Sequence, residues 1–351
     1  MPVKKKAAKK QIVPKNVKVE PIKATPIKVR AIRIYETGGP DVMKFVEVEV
    51  PVPGPGQVRV RHTAIGVNLA DTYNRKGEHH GTPLPSGLGL EAAGVIEAVG
   101  PRVKGFKLGD RVIGLGGNDA YCEARLYAAD ALIKLPAWLD DRTAVAALVK
   151  GTTTHYLFND VRKLKRGDVV LFHAAAGGVG QIAGQWAKDI GARMIGTVST
   201  PEKAKIAKRC GYTHIIDMSK QSITEEVMKL TNGQGVDVIY DSNGFDTWGD
   251  TLKSVKRRGM ICTFGSASGA PPAVDLHANV GQRSVYFIRA TSVNFMTSPE
   301  IRRNAAAQLF KRMKSGVVKV KVNHVYALKD VAKAHRDVEA RKTTGSIVLV
   351  P

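Results

Sequence analysis

A glycine-rich turn between a strand and a helix is the segment of this sequence with the clearest chemical use. Residues 171–191 read LFHAAAGGVGQIAGQWAKDIG, where an apolar run leads through Gly177, Gly178 and Gly180 into apolar residues at helical spacing. Such glycines let the chain turn tightly, approach a pyrophosphate and pack a helix closely on a strand. The helix start adds free N–H groups and partial positive charge. The segment therefore predicts a dinucleotide site, and Gly191 should end the helix.

The end of the next predicted strand indicates which dinucleotide binds. Sites that prefer NAD place an acidic residue there for the ribose 2′-hydroxyl, whereas this chain has Thr197, Ser199 and Thr200. Lys203 follows in the first turn of a helix that starts with Thr200 and Pro201, where a cation opposes the helix dipole. A 2′-phosphate would stabilise that cation, so we predict NADPH rather than NADH. The alternative is that Lys203 is a solvated residue of a lysine-rich helix.

Short apolar strands alternate with helices through the middle of the chain. Between about Val149 and Thr291, the pattern predicts strands at residues 169–174, 193–199, 214–217, 236–241, 259–265 and 285–290. Helices lie between most of them. Strands and helices in this order form a parallel sheet with right-handed crossovers. We therefore predict an α/β fold with a Rossmann doubly wound parallel sheet.

The parts before and after this region have a different pattern. From Val29 onward, short alternating strands broken by glycine and proline predict a β-rich, barrel-like domain. The closing elements are predicted as a helix from Ser298 to about Ser315, a strand at residues 317–326, a helix at residues 329–341 and a strand at residues 347–350. We expect them to return to the first domain. A site is then expected in the cleft between the two domains.

The composition is that of a globular protein with a strong positive charge. The 351 residues carry a formal net charge of +23. Residues 1–28 contain mainly lysine, proline and valine, which predicts a disordered basic tail that either binds nucleic acid weakly, binds another anionic partner or only aids solubility. No stretch approaches about 18 apolar residues, so no membrane span is predicted. Three widely spaced cysteines favour a reducing compartment, the cytoplasm.

Eight segments of the chain match a known family. They are AIGVNLADTYNRKG, LPSGLGLEAAGVIEAVG, GDRVIGL, LFHAAAGGVGQIAGQWAK, IGTVST, IYDSNG, ICTFGSASG and TTGSIVLVP. From Val29 to Pro351 the chain resembles the zinc-free medium-chain dehydrogenases/reductases, and among them the ζ-crystallin-like NADPH:quinone oxidoreductases. The resemblance implies a tail at residues 1–28, a GroES-like catalytic domain at residues 29–149 and 292–351, and a Rossmann NADPH-binding domain at residues 150–291. It also implies a homodimer, which the strand Ser284–Arg289 could form by pairing across a two-fold axis.

The metal ligands of zinc-containing relatives are missing from the corresponding segments. Those relatives place Cys where this chain has Asn68, and His where it has Leu90, directly before Glu91. A catalytic zinc needs about three protein ligands, and His79 and His80 are poor substitutes because neighbouring side chains diverge. We interpret the histidine pair as part of a solvated loop and predict no metal.

The resemblance further implies a set of site residues. Its catalytic or supporting residues are Asn68, Asp71, Tyr73 and Arg75. Its cofactor contacts are Asn68, Lys150, Thr153, Gly177, Gly178, Val179, Gly180, Ser199, Lys203, Met218, Ser242, Phe264, Gly265, Ser266, Ser268 and Arg341. Several have structural alternatives. Asn68 and Asp71 could only cap the helix that begins near Leu69. Tyr73 could be core, and Arg341, in the last turn of a helix, could complement its dipole.

Two residues depart from the close relatives. Met218 stands where they carry a tyrosine beside the adenosine 2′-phosphate, and methionine can pack there but cannot donate a hydrogen bond. His79 stands where they carry a tyrosine at the substrate mouth. We therefore expect the affinity for NADPH and the preference among quinones to differ from theirs.

The chemistry that the resemblance implies is the reduction of a quinone by NADPH. A quinone accepts hydride without a metal to polarise it, provided that nicotinamide C4 is held over it. Tyr73 would stabilise or protonate the oxyanion that forms, with Asn68 and Arg75 as electrostatic support. One alternative is reduction of the activated double bond of an enal or enone. A second alternative is nucleic-acid binding, for which the positive charge supports only nonspecific contact. A third is a structural, lens-type use of the fold.

Overall fold

The protein is built on two large β-sheets of different kinds. The computed structural model describes residues 25–78 and 83–351, so most of the predicted tail and the pair His79 and His80 lie outside the described residues. Within those ranges, one sheet has six parallel strands, and the other has seven strands and is mainly antiparallel. In the same ranges, no helix combines the length and the apolar character needed to span a membrane.

The elements follow the order that the sequence pattern predicts. The amino-terminal part contains β1 (Ile27–Arg33), β2 (Lys44–Val50), β3 (Gln57–Val67), α1 (Leu69–Lys76), β4 (Glu91–Val99), β5 (Arg111–Leu115), β6 (Ala124–Ala128) and β7 (Leu132–Lys134). The middle part contains α2 (Asp141–Tyr156), β8 (Val169–Phe172), α3 (Gly178–Ile190), β9 (Arg193–Val198), α4 (Pro201–Arg209), β10 (His214–Asp217), α5 (Ile223–Leu230), β11 (Val236–Asp241), α6 (Trp248–Ser254), β12 (Val255–Thr263), β13 (Tyr286–Arg289) and α7 (Ser292–Phe295). The last part contains α8 (Pro299–Lys314), β14 (Val322–Ala327), α9 (Val331–Glu339) and β15 (Ser346–Val350).

The barrel-like sheet joins the two ends of the chain. Its strands lie in the order β14-β15-β3-β4-β5-β7, and β6 pairs with β3 as well. The final strand β15 is antiparallel to β3, with Ile347 opposite Val67. The closing strands β14 and β15 therefore lie in the same sheet as β3, β4, β5 and β7.

The parallel sheet has the doubly wound order that the sequence predicts. Its strands lie in the order β10-β9-β8-β11-β12-β13, so the direction of winding reverses between β8 and β11. A ligand is expected at the carboxyl ends of the strands beside that reversal. Helix α3 packs there through Ile182 and Trp186, which are almost fully buried, and Gly191 ends it with a left-handed φ of 89°. Helix α4 begins where Thr200 accepts the N–H of Lys203.

Some strand ends differ from the prediction. Strand β1 begins within the predicted tail, because Ile27 pairs with Val50 in the ladder with β2. Strand β12 begins at Val255 and not near residue 259, since the exposed charged residues early in the strand obscure its pattern. Residues 317–321 precede β14 instead of forming part of it. They bury Val318 in the core without entering the ladder, so their apolar character does not indicate a strand.

Helix α2 connects the two sheets. It runs through the predicted domain boundary at residues 149 and 150 without a break, and most of its residues are buried. One apolar cluster contains α2 residues together with Ala93 and Ile113 of the barrel-like sheet and Phe172 of the parallel sheet. Because one core is shared across the boundary, the walls of the cleft are held in a fixed relation near α2.

Candidate functional site

The turn between β8 and α3 places its backbone at the carboxyl end of the parallel sheet. Gly177 precedes α3 with a φ of −73°, and Gly178 is the first residue of the helix. The left-handed residue of the turn is Ala174, with a φ of 56°, so the sharpest bend is not at a glycine. A Cβ on Gly180 would lie 2.5 Å from the carbonyl oxygen of Ala174 and 2.7 Å from that of Ala175. Gly180 thus permits the close helix packing that was predicted.

Lys150 of α2 lies beneath this turn. A Cβ on Gly178 would approach the Cδ of Lys150 to 2.8 Å, so the lysine stem fills the space under the first turn of α3. Its Nζ donates a hydrogen bond to Oδ1 of Asn68 at 2.9 Å. The structure therefore brings together three predicted site residues, from the starts of α1 and α3 and from the middle of α2.

A cationic corner forms at the end of β9. The Nζ of Lys203 donates to Oγ of Ser199 at 3.1 Å and lies 3.4 Å from the carbonyl oxygen of Arg341. Burial lowers the pKa of Lys203, and the positive charge of Arg341 lowers it further. The Lys203 ammonium and the positive charge of Arg341 that acts on it favour an anion beside them, and the Ser199 hydroxyl can donate to such an anion. The corner therefore suits a phosphate monoester.

Arg341 differs from its predicted place. Helix α9 ends at Glu339, and Arg341 follows it with a left-handed φ of 55°. It therefore lies just beyond the last turn, in which the structural alternative for this residue places it. Its guanidinium pairs with Oδ2 of Asp246, 3.0 Å away on the other side of the cleft, and both side chains are about half exposed. Because such an exposed pair is weak, a phosphate at the corner can compete with Asp246 for the guanidinium.

Met218 lies next to the end of β9. Its N–H donates to the carbonyl oxygen of Val198 at 2.9 Å, and its side chain packs against the cluster that contains Leu171 and Ile195. The residue thus offers an apolar surface near Ser199 and no side-chain donor.

The loop after β11 is held by a buried carboxylate. Asp241 is fully buried and accepts the N–H groups of Asn243 at 2.8 Å and Gly244 at 3.0 Å, together with the hydroxyl of Thr251 at 2.9 Å. These bonds fix the backbone on which Ser242 lies.

The loop after β12 packs against this first loop. A Cβ on Gly265 would lie 2.7 Å from the carbonyl oxygen of Ser242, so the close approach requires glycine. The hydroxyl of Ser268 donates to the carbonyl oxygen of Asn243 at 2.8 Å and accepts the N–H of Asp246 at 3.0 Å. The Ser268 hydroxyl, predicted to contact cofactor, therefore joins the two loops.

Two other predicted contacts, the partly buried Phe264 and the buried Thr153, pack beside the strand ends. The ring of Phe264 packs against that of Phe172, with centroids 5.7 Å apart. Thr153 in α2 is 8% exposed, and its side chain bonds to Tyr156. Both residues shape the floor between the strand ends and α2.

Asp71 caps the start of helix α1, which is the structural alternative given for this residue. Its Oδ2 accepts the N–H of Asn68 at 2.8 Å and the hydroxyl of Tyr121 at 2.8 Å. Burial raises the pKa of Asp71 to about 7. Asp71 is fully buried, and its carboxylate holds the start of the helix.

Tyr73 connects α1 to the far wall of the cleft. Its Oη accepts the N–H of Ser266 at 3.1 Å, which joins the barrel-like domain to the loop after β12. Burial raises the pKa of Tyr73, while the Ser266 bond and the positive charge of Arg289 oppose this. A protonated phenol at the edge of the parallel sheet can donate a hydrogen bond or a proton.

Arg75 was predicted as electrostatic support for the reaction, but its contacts lie elsewhere. It is fully buried, with Nε bonded to the carbonyl oxygen of Gly38 at 2.9 Å and Nη1 2.9 Å from Nδ1 of His335. Its Nη2 donates to Oε1 of Glu339 at 2.7 Å. A guanidinium enclosed by these partners anchors α1 to α9. We therefore correct its role to a structural one.

Arg289 was missed by the sequence analysis. It ends β13, is exposed, and donates from Nη1 to the carbonyl oxygen of Gly265 at 2.8 Å. Its charge acts on the Tyr73 hydroxyl. Nothing in its local sequence marks it, because its position depends on the order of the parallel strands.

No cluster of three or more His, Cys, Asp or Glu side chains within residues 25–78 and 83–351 is arranged to hold a metal ion. Where the zinc-containing relatives carry Cys and His, this chain has the amide of Asn68 and the aliphatic side chain of Leu90. The interpretation of His79 and His80 as a solvated loop concerns residues outside the described ranges.

Comparisons with known proteins match both parts of the chain. Residues 54–157 match the alcohol dehydrogenase GroES-like domain, and residues 178–312 match the zinc-binding dehydrogenase model. A quinone oxidoreductase of Pseudomonas aeruginosa is 43% identical over 323 residues, 92% of this chain and 99% of that protein. A 2-haloacrylate reductase of Burkholderia sp is 44% identical over 91% of this chain and 98% of its own length. The crystal structure of Escherichia coli quinone oxidoreductase complexed with NADPH has a TM-score of 0.89 and 40% identity, covering 92% of this chain and all of that one.

Proposed function

The chain belongs to the quinone oxidoreductases of the medium-chain dehydrogenase/reductase family, and we propose that it is an NADPH:quinone oxidoreductase that works without zinc. The observation that carries the proposal is the bond between Tyr73 and Ser266. The bond holds a buried phenol at the carboxyl edge of the dinucleotide-binding sheet, on the wall of the cleft that α1 forms.

The residues at the sheet edge fit NADPH. The crowded turn at Gly178 and Gly180 lets the first N–H groups of α3 meet the pyrophosphate. Ser199, Lys203 and Arg341 supply the cationic corner for the 2′-phosphate. When bound, NADPH supplies a hydride, and the solved relative from Escherichia coli is a complex with it.

The substrate side is formed by α1 and the two loops. We propose that the Tyr73 hydroxyl stabilises or protonates the quinone oxygen as negative charge develops there. Asn68, whose side-chain oxygen accepts a hydrogen bond from Lys150, places its own amide at the same wall. Arg289, and not Arg75, supplies the positive charge near the Tyr73 hydroxyl. The guanidinium of Arg289 is exposed at the cleft, whereas that of Arg75 is enclosed.

A second candidate function is the reduction of an activated double bond. The Burkholderia protein is named as a reductase of 2-haloacrylate, which has such a double bond, and its 44% identity to this chain equals that of the Pseudomonas aeruginosa quinone oxidoreductase, 43%, to within one per cent. Parallel assays with NADPH and either 1,4-benzoquinone or a conjugated enone distinguish the two. Faster turnover of the enone would replace the quinone proposal.

We propose that the chain is a homodimer formed through β13. This strand is the last in the parallel sheet, and Tyr286 at its start is 56% exposed. An edge strand with an exposed aromatic residue is suited to pairing with a second copy.

The dimer proposal predicts the effect of a charge at this strand. Light scattering should give about twice the chain mass of 37.8 kDa, and Tyr286→Asp should shift the protein toward the monomer, because a charge in place of an exposed aromatic residue on an edge strand opposes pairing with a second strand. Tyr35→Asp is the matched control, since Tyr35 is 58% exposed but lies in the barrel-like domain. A dimer unaffected by Tyr286→Asp would contradict pairing through β13.

Two further proposals rest on sequence features. The basic tail at residues 1–28 contributes weak, salt-dependent nucleic-acid binding at most. The cytoplasm is proposed because Cys122, Cys210 and Cys262 are free and buried, which suits a reducing compartment.

A further inference from the structure

Glu91, at the start of β4, is a buried carboxylate that the proposed reaction does not use directly. It is fully buried, and its Oε1 accepts a hydrogen bond from Nδ2 of Asn68 at 2.9 Å. Its Oε2 accepts the N–H of Val149 at 2.9 Å, and Nζ of Lys150 lies 3.6 Å from Oε1. Both side chains that Glu91 contacts belong to the proposed site.

The fold makes room for this carboxylate. Gly66 on β3 lies opposite Glu91 in the ladder, and a Cβ on Gly66 would collide with the Glu91 side chain. Burial raises the pKa of Glu91, while the charge of Lys150 and the bonds from Asn68 and Val149 favour the carboxylate. Buried charges are retained only where they are paired and hydrogen-bonded.

The chemistry of the three groups fixes the orientation of the Asn68 amide. A carboxylate only accepts hydrogen bonds, an ammonium only donates them, and an amide can do either through its two ends. With Glu91 on one side and Lys150 on the other, the amide nitrogen must face Glu91 and the oxygen must face Lys150. A neutral amide at position 91 would remove the constraint on one side and leave Lys150 alone to orient the Asn68 amide.

We propose that Glu91 is a positioning residue for the reaction, which acts through Asn68 and Lys150 and contacts no ligand. It orients the Asn68 amide at the start of α1 and balances the Lys150 ammonium under the first turn of α3. The inference rests on the proposed function, because it assigns this support to the same cleft.

The test is a double-mutant cycle between Glu91 and Lys150. Glu91→Gln keeps the shape of the side chain and should lower kcat by about tenfold, with thermal unfolding followed in parallel. In a Lys150→Met background, the same change should lower kcat by less, about threefold at most, because only the contact with Asn68 remains for Glu91 to act through. Glu97→Gln, on the same strand but bonded to Arg59 and Arg61, is the control that should retain the original kcat.

The outcomes separate this inference from the proposed function. Rates are measured with whichever acceptor, quinone or enone, the unsubstituted chain reduces fastest. If the chain does not reduce quinones, the cycle can therefore still be measured with the enone. A Glu91→Gln variant with unchanged kcat overturns the inference, and so does an equal loss in both backgrounds, which would indicate a merely structural role. If Glu91→Gln unfolds, Glu91→Asp carries the test, because it keeps the charge but withdraws the carboxylate from Asn68 and Val149. It should lower kcat in the Lys150 background and lower it less in the Lys150→Met background, and an unchanged kcat overturns the inference.

Discussion

Replacing Lys203 by alanine should lower kcat/KM for NADPH by about 10- to 100-fold and leave kcat/KM for NADH within about twofold. The range corresponds to the loss of one charge-assisted hydrogen bond of ~1.5–3 kcal/mol. The Lys203 ammonium lies 3.1 Å from the Ser199 hydroxyl, in the corner that Arg341 completes. NADH has no 2′-phosphate, so its binding does not use this corner.

The matched control for this prediction is Lys205→Ala. Lys205 lies on the same helix α4 and is exposed, whereas Lys203 is half-buried. Steady-state kinetics with both cofactors should show no change of preference for the control. An equal loss with NADPH and NADH in Lys203→Ala would show that the lysine contributes to folding or to a shared part of the cofactor, and it would contradict the assignment.

Replacing Tyr73 by phenylalanine should lower kcat for quinone reduction by about 10- to 100-fold, in the range of general acid catalysis. The change removes the hydroxyl that would meet the developing oxyanion and leaves the ring in its buried place. The dissociation constant for NADPH, measured by fluorescence in the absence of quinone, should change by less than about threefold, because the effect belongs to the chemical step.

Tyr35→Phe is the control for Tyr73→Phe, since Tyr35 is exposed on the barrel-like domain. The loss of the Tyr73 hydroxyl also removes the acceptor of the Ser266 N–H, so thermal unfolding of both variants is compared. Unchanged turnover in Tyr73→Phe would reject its catalytic role and favour its alternative role as a core residue.

The dinucleotide part of the site is predictable from sequence because its signals are local. The strand, glycine turn and helix at residues 169–191 lie within one continuous segment, and the cap formed by Thr200 and Lys203 follows soon after. Hydrophobic spacing, glycine crowding and helix capping act over a few residues, so they leave a direct pattern in the sequence.

The other wall of the cleft is less predictable because its contacts join distant segments. Arg75 bonds to His335, 260 residues later in the chain, and this partner changes its role from catalytic support to anchoring. The contacts of Glu91 form only when β3, α1 and α2 pack around it in the folded protein. Short-range patterns carry no record of such contacts.

Residue type does not always predict the backbone conformation of a turn. Ala174 takes the left-handed φ that the pattern would assign to glycine, and Arg341 does the same beyond the end of α9. Such positions cost free energy that neighbouring packing must offset. Their presence depends on the surrounding structure and not on residue type.

The most direct test of the account is NADPH oxidation with 1,4-benzoquinone after exhaustive chelation of the protein. The account predicts quinone-dependent oxidation that is faster with NADPH than with NADH and unchanged by the chelator, since the cleft relies on Tyr73, Lys150 and Asn68 instead of metal ligands. Activity that disappears on chelation and returns only with zinc, or the absence of quinone-dependent oxidation, would contradict it.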